Sequence, residues 1–221
     1  MDTIQLAIEQ MKHHNYEEAA RLFNAYIEAH PDDALGYINF GNLLMHINDQ
    51  GRAQRFYERA LELDPHAATA FYGLGNVYYE QSLYPKAQEN YQKAIELGLE
   101  EGDVYYMLGM TFQKEEHFKL ALPYFLRATE LEEDHIDSLF QYGLALAQSN
   151  HLADAKSAFE QVLNKDQEHS DAHYNLGVIA LYEDAVKKAQ EHFERAIEIQ
   201  PDHLLAANGL KRVMEFMNQD M

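Results

Sequence analysis

The sequence predicts an all-α solenoid of six antiparallel helix pairs, closed by one further helix. Three observations carry this. An alanine returns every 34 residues, at Ala19, Ala53, Ala87, Ala121, Ala155 and Ala189. An aromatic stands four residues after each, at Phe23, Tyr57, Tyr91, Phe125, Phe159 and Phe193. A glycine stands twelve residues before each of the last five, at Gly41, Gly75, Gly109, Gly143 and Gly177. A fixed period of this length marks one supersecondary unit repeated along the chain. Six units consume almost all of the 221 residues and leave no room for a catalytic domain.

The units run over about 1–33, 34–67, 68–101, 102–135, 136–169 and 170–203. Each holds two helices, A and B. The first unit is weak in its A helix, with Thr3, Leu6, Ala7 and Gln10 in the packing slots, as a terminal repeat tends to be. The second gives the pattern in full. Tyr37, Phe40, Gly41 and Leu44 are spaced three and four apart, the period of a buried helix face. Ala53, Tyr57 and Ala60 repeat that spacing, and Pro65 ends the unit. The polar stretch His46-Ile47-Asn48-Asp49 is the turn between them.

The third unit has Phe71, Leu74, Gly75 and Tyr78, then Ala87, Tyr91 and Ala94. Its Pro85 falls in the first turn of helix B, where proline is tolerated. Gly73 is a second glycine in the same A helix, outside the pattern. The fourth has Tyr105, Leu108, Gly109 and Phe112, a turn at Glu115-Glu116-His117, then Ala121, Phe125 and Ala128. Pro123 lies deeper in its helix B, so that helix is predicted to be distorted or to start late. Leu139 and His173 open the fifth and sixth A helices. Residues 204–221 read as a capping helix, with Leu205, Leu210, Val213, Met214 and Met217 apolar and Lys211, Arg212 and Glu215 polar. Such a cap covers the last apolar face of a solenoid. No linker-like composition interrupts the chain, so 1–221 reads as one domain.

A glycine inside a helix costs about 1 kcal/mol relative to alanine. Five in register imply close approach of helix B to helix A, with the following aromatic expected at the edge of the contact.

This pattern resembles the tetratricopeptide repeat family over residues 1–203, in its period, its small residues and the helix-ending Pro31, Pro65 and Pro201. The resemblance implies a right-handed α-α superhelix. It also implies a concave groove lined by A helices, where partners lie as extended or helical peptides. The family often opens helix A with Trp. Here the slot holds Tyr37, Phe71 and Tyr105, and there is no Trp. Leu99, Glu133 and Gln167 replace the terminal proline.

Seventeen Lys and Arg against 37 Asp and Glu give a net charge of −20. That argues against nucleic acid and against anionic membrane surfaces, both of which are held by Lys and Arg. It fits a basic partner or plain solubility. The absence of Cys excludes disulfides, thiol catalysis and Cys-based zinc sites. No leader-like start or membrane-length apolar run is seen, so a cytoplasmic location is expected.

Function is then sought on the inward positions of the A helices. The first position reads Ile4, Ile38, Tyr72, Tyr106, Phe140 and Tyr174. Four residues on it reads Ile8, Asn42, Asn76, Met110, Leu144 and Val178, and three further Met11, Met45, Tyr79, Gln113, Ala147 and Leu181. The candidate binding residues are Ile38, Asn42, Met45, Tyr72, Asn76, Tyr79, Asp103, Tyr106, Met110, Asp137, Phe140 and Tyr174. Tyr and Met suit interface anchors. The aromatics also suit an internal ladder. Asn42 and Asn76 can pair with a peptide backbone. Asp103, Asp137 and Asp171 suit either an acidic rim or the helix dipole.

Some members of this family clamp a chaperone's C-terminal carboxylate with Lys, Arg and Asn. The matching positions here hold Asp103, Met107, Asp137 and Gln141, so no clamp is expected. His169 and His173 have helical metal-pair spacing without a third ligand. Gly73-Leu74-Gly75 lacks the third glycine and the preceding strand of a dinucleotide fingerprint. No catalytic residues, metal or cofactor are expected. The expected function is a non-catalytic scaffold or adaptor binding a peptide or partner helix, basic with apolar anchors. The alternatives are a chaperone-like holder of unassembled clients and a self-associating structural protein.

Overall fold

The computed structural model describes residues 2–219. Among these it contains thirteen helices and no strand. They group into two compact units, Met1–Glu115 and Glu116–Met221. The first holds α1 (Thr3–Lys12), α2 (Tyr16–Ala29), α3 (Ala34–His46), α4 (Gln50–Leu63), α5 (Ala68–Glu80), α6 (Tyr84–Glu96) and α7 (Gly102–Lys114). The second holds α8 (Phe118–Leu131), α9 (Ile136–Gln148), α10 (Leu152–Lys165), α11 (Ser170–Tyr182), α12 (Val186–Ile199) and α13 (Leu204–Gln219). Within each unit every helix packs on the next in sequence.

The A–B turns have one physical cause. The non-glycine residues with positive φ recur 34 apart: His14 (60°), Asn48 (61°) and Ser82 (58°) in the first unit, Glu116 (60°), Asn150 (65°) and Asp184 (55°) in the second. Each holds the left-handed conformation that ends a helix. After α3, the Asn48 N–H donates to the Met45 carbonyl at 3.0 Å and the Asp49 N–H to the Leu44 carbonyl at 2.8 Å. The same bonds follow α5, from Ser82 to Tyr79 at 2.9 Å and from Leu83 to Tyr78 at 2.8 Å. These crossed bonds satisfy the last carbonyls of helix A and reverse the chain in three residues.

The repeat's alanines and aromatics form the core. Ala19, Ala53, Ala87, Ala121, Ala155 and Ala189 are fully buried, and the aromatics Phe23, Tyr57, Tyr91, Phe125, Phe159 and Phe193 are no more than 1% exposed. The rings do not sit at the edge of the helix contact, as the sequence suggested. Tyr57, Tyr91, Phe159 and Phe193 lie on the glycines. A Cβ on Gly41 would come within 2.6 Å of the Tyr57 ring, one on Gly75 within 2.4 Å of Tyr91, and one on Gly177 within 2.7 Å of Phe193. Gly73 is explained in the same way: a Cβ added to it, on the next A helix α5, would meet the Tyr57 ring of α4 at 2.4 Å. Tyr57 is thus held between two glycines, one on α3 and one on α5. Gly209 of α13 repeats this against Phe193, at 2.9 Å.

One expectation is corrected. α8 does not start late. It begins at Phe118, in register with every other B helix, and runs through Pro123. The ring removes a single backbone donor, the one that would reach Lys119. Lys119 and Pro123 are both exposed, where water can take over that carbonyl.

Candidate functional site

In the first unit the candidate residues converge on a cluster of tyrosines and asparagines. Tyr57, buried on α4, donates its hydroxyl to Asn42 Oδ1 of α3 at 2.8 Å. Tyr91, buried on α6, donates to Asn76 Oδ1 of α5 at 2.7 Å. The bonds fix both amides. Each Oδ1 accepts that one hydroxyl, and the NH2 group remains as a donor. Burial holds the Tyr57 and Tyr91 hydroxyls far above the ordinary phenol range, and neighbouring Tyr72 adds to the effect at both. They stay neutral donors at any physiological pH.

The sequence shows this pairing to be selective. Asn on helix A coincides with Tyr on helix B in the second and third repeats. Elsewhere an apolar residue coincides with Phe, as in Ile8 with Phe23, Leu144 with Phe159 and Val178 with Phe193. A buried hydroxyl needs a partner, and a phenyl ring does not.

Around these pairs stand Tyr72, Tyr79 and Tyr106, all half-buried. The Tyr72 ring lies 5.8 Å from Tyr91, and Tyr79 lies 5.7 Å from Tyr84 of α6. Burial raises the Tyr79 pKa to about 12, with Tyr84 and Tyr106 adding to it. Met45 and Met110 are half-buried, and Asp103 is exposed in the first turn of α7. Ile38 is only 7% exposed and belongs to the core, so its packing role leaves little area for a partner.

In the second unit Asp137 is exposed in the first turn of α9. Phe140 is only 9% exposed, packed at 5.6 Å on Phe159 and 4.6 Å on His169. Tyr174 is half-buried, 5.9 Å from Phe193 and 5.3 Å from His203. These rings pack across their own helix pair and onto a histidine at the start of the next A helix. Phe140 is a core residue, whereas Tyr174 keeps an open side.

The histidines have a structural task. His135, His169 and His203 recur 34 apart, and each accepts a hydrogen bond through Nδ1 from the first turn of the helix it precedes. The donors are the N–H groups of Ser138, Ala172 and Ala206, each at 3.2 Å. They act as N-caps in place of Asp, which serves at Asp33. His173 and His192 face each other with Nδ1 atoms 3.2 Å apart. Burial lowers both pKa values, and at His173 the neighbouring His192 lowers it further.

The candidate residues missed in the sequence lie on α13, read there only as a cap. Continuing the 34-residue stride past Tyr174, Val178 and Leu181 reaches Asn208, Arg212 and Glu215. All six line one pocket of about 790 Å³ between α11 and α13. No helix among the described residues is long and apolar enough to cross a membrane.

Three family models match the chain. Two described as tetratricopeptide repeat match residues 66–134, and 4–53 with 140–203; a third, TPR repeat, matches 49–82. No curated protein matches. Among solved structures, the chain is similar to YrrB, described as a TPR protein with an unusual peptide-binding site. Identity is 47% and the TM-score 0.80, over 87% of this chain and 99% of that one. It is also similar in fold to Pseudomonas aeruginosa PilF, at 18% identity and TM-score 0.81, over 93% and 94% of the two chains. MamA matches at 22% identity and TM-score 0.69, over 73% and 94%. The chain belongs to the tetratricopeptide repeat family.

Proposed function

We propose that the protein is a non-catalytic adaptor that holds a peptide segment of its partner against the A-helix positions carrying Asn42, Asn76, Tyr72, Tyr79 and Tyr106. One observation supports this above the others. The fold accepts Phe with an apolar neighbour in its other repeats, yet spends a Tyr–Asn pair in two consecutive ones. The pair is therefore not needed for packing. It leaves two oriented amide donors, which suit the main-chain carbonyls of an extended peptide better than those of a helix, where the carbonyls are already used. The half-buried tyrosines offer apolar area with a hydroxyl, as interface anchors do. Asp103 beside Tyr106 favours a Lys or Arg on the partner. The similarity to YrrB, described as having a peptide-binding site, agrees with a peptide ligand.

The test converts the two pairs to the form used elsewhere in the chain: Asn42→Leu with Tyr57→Phe, and Asn76→Leu with Tyr91→Phe. Affinity capture from source lysate with mass spectrometry compares this variant with wild type. A dominant partner lost from a variant that keeps its helical signal supports the reading. Identical capture profiles refute it.

A self-associating role has its own observation. Leu204, Leu205, Met214 and Phe216 of α13 are 76%, 60%, 49% and 54% exposed. Light scattering that reports a strict monomer across concentration excludes it.

A further inference from the structure

The pocket between α11 and α13 has a chemistry unlike the rest of the candidate surface. One wall is apolar, from Tyr174, Val178 and Leu181. Tyr182, 73% exposed, and Leu205, 60% exposed, extend it at the rim. The facing wall is polar and carries Asn208, Arg212 and Glu215. At the position of Arg212 the earlier repeats read Ile8, Asn42, Asn76, Met110, Leu144 and Val178, so this is the one cation of the series.

Most other arginines are neutralised along their own helices. Arg21, Arg52, Arg59, Arg127 and Arg195 each pair with an acid three residues away. Arg212 has no ion-pair partner among the described residues. Glu215, three residues on, lies 3.9 Å from Lys211 instead. The charged residues lining the pocket are Lys211, Arg212 and Glu215, a local excess of one positive charge in a chain of net charge −20.

We infer that this pocket is a subsite for an acidic peptide segment. A Phe, Tyr or Leu of the segment fills the apolar wall, and the carboxylate of an adjacent Asp or Glu is held by Arg212. A guanidinium presents paired donors that match a carboxylate, and Asn208 beside it supplies a further amide donor. Glu215 on the same wall disfavours a second carboxylate. The volume of about 790 Å³ lies in the range of small-ligand sites and suits a short segment of a peptide, not a folded domain. The inference rests on the peptide-binding reading above and assigns the ligand's charge at this end of the protein.

The test uses the full chain, ¹⁵N-labelled, titrated with the blocked dipeptides acetyl-Phe-Glu-amide and acetyl-Phe-Gln-amide. The amides of Val178, Gly209 and Arg212 are expected to shift, with the Glu probe bound about five-fold more tightly, the upper range for an exposed ion pair. Arg212→Gln should erase that difference, and so should about 1 M salt, where the screening length is about 3 Å. Shifts at the pocket with equal affinity for both probes overturn the role of Arg212 and leave the peptide-binding reading standing. Shifts elsewhere, or none with either probe, overturn the subsite. The general reading fails separately, on the paired Asn and Tyr variants of the first unit.

Discussion

Gly73→Ala places a methyl group where the ring of Tyr57 already lies. The new Cβ would stand 2.4 Å from Tyr57 Cε1 and 2.5 Å from Cζ, against an ordinary contact of 3.4 Å or more. The ring must retreat by about 1 Å. It cannot do so toward α3, because a Cβ position on Gly41 is already within 2.6 Å of the same ring. Nor can it swing outward without breaking the 2.8 Å bond to Asn42. Overpacking of this kind costs about 1–3 kcal/mol, and a doubly confined ring belongs at the upper end. Alanine returns about 1 kcal/mol of helix propensity. The net loss is about 2 kcal/mol, or about 4–8 °C in Tm for a chain of this size. Circular dichroism through a urea and a thermal ramp measures it. Tyr57→Leu in the Gly73→Ala background should recover part of the loss. Gly51→Ala serves as the control, since a Cβ there meets nothing within 4 Å, and should be neutral or slightly stabilising. A Gly73→Ala protein as stable as wild type would refute the account of Tyr57 as a ring held between two glycines.

Four further outcomes follow from the same geometry. Pro123→Ala restores a helix donor within α8 and should stabilise by about 1–3 kcal/mol, read as a higher urea midpoint. Ser82→Gly relieves a left-handed backbone at φ 58° and should stabilise by about 1 kcal/mol, read as a higher urea midpoint. Ala87→Leu overpacks a fully buried contact between α5 and α6 and should lower stability by about 1–3 kcal/mol, or more if the helices separate. The His173–His192 pair should make the protein acid-sensitive. Burial holds both folded pKa values below the usual 6.5, so the unfolded chain binds protons first. The contribution is present above about pH 6.5 and is lost as pH falls below it. The charged and titratable groups acting on the pair are Lys156 and Glu160 on α10, Lys188, Glu191 and Arg195 on α12, and His169 ahead of α11. His173→Phe should flatten the stability profile between pH 7 and pH 5, and an unchanged slope would exclude the pair as its source.

The sequence alone determined the repeat, its register and the buried set. That information is local: the spacing of Ala53, Tyr57 and Ala60 is the period of a helix face, and the 34-residue stride copies it along the chain. The same stride contained more than was read from it. It places the left-handed turn residues from His14 to Asp184, the capping histidines His135, His169 and His203, and the groove positions Asn208, Arg212 and Glu215 on the last helix. Only the tertiary structure decided what each inward side chain does, because that depends on what the neighbouring helix brings against it. Ile38 and Phe140 looked equivalent to Tyr72 and Tyr174 in spacing, yet packing buries the first two and leaves the others partly open. Asn42 and Asn76 read as free amides until Tyr57 and Tyr91, fifteen residues away on helix B, were found to occupy one side of each. Gly73 had no reason within its own helix. Its reason is a ring from another, since a hydrogen in place of a Cβ shows its purpose only when the atom that would collide with it is known.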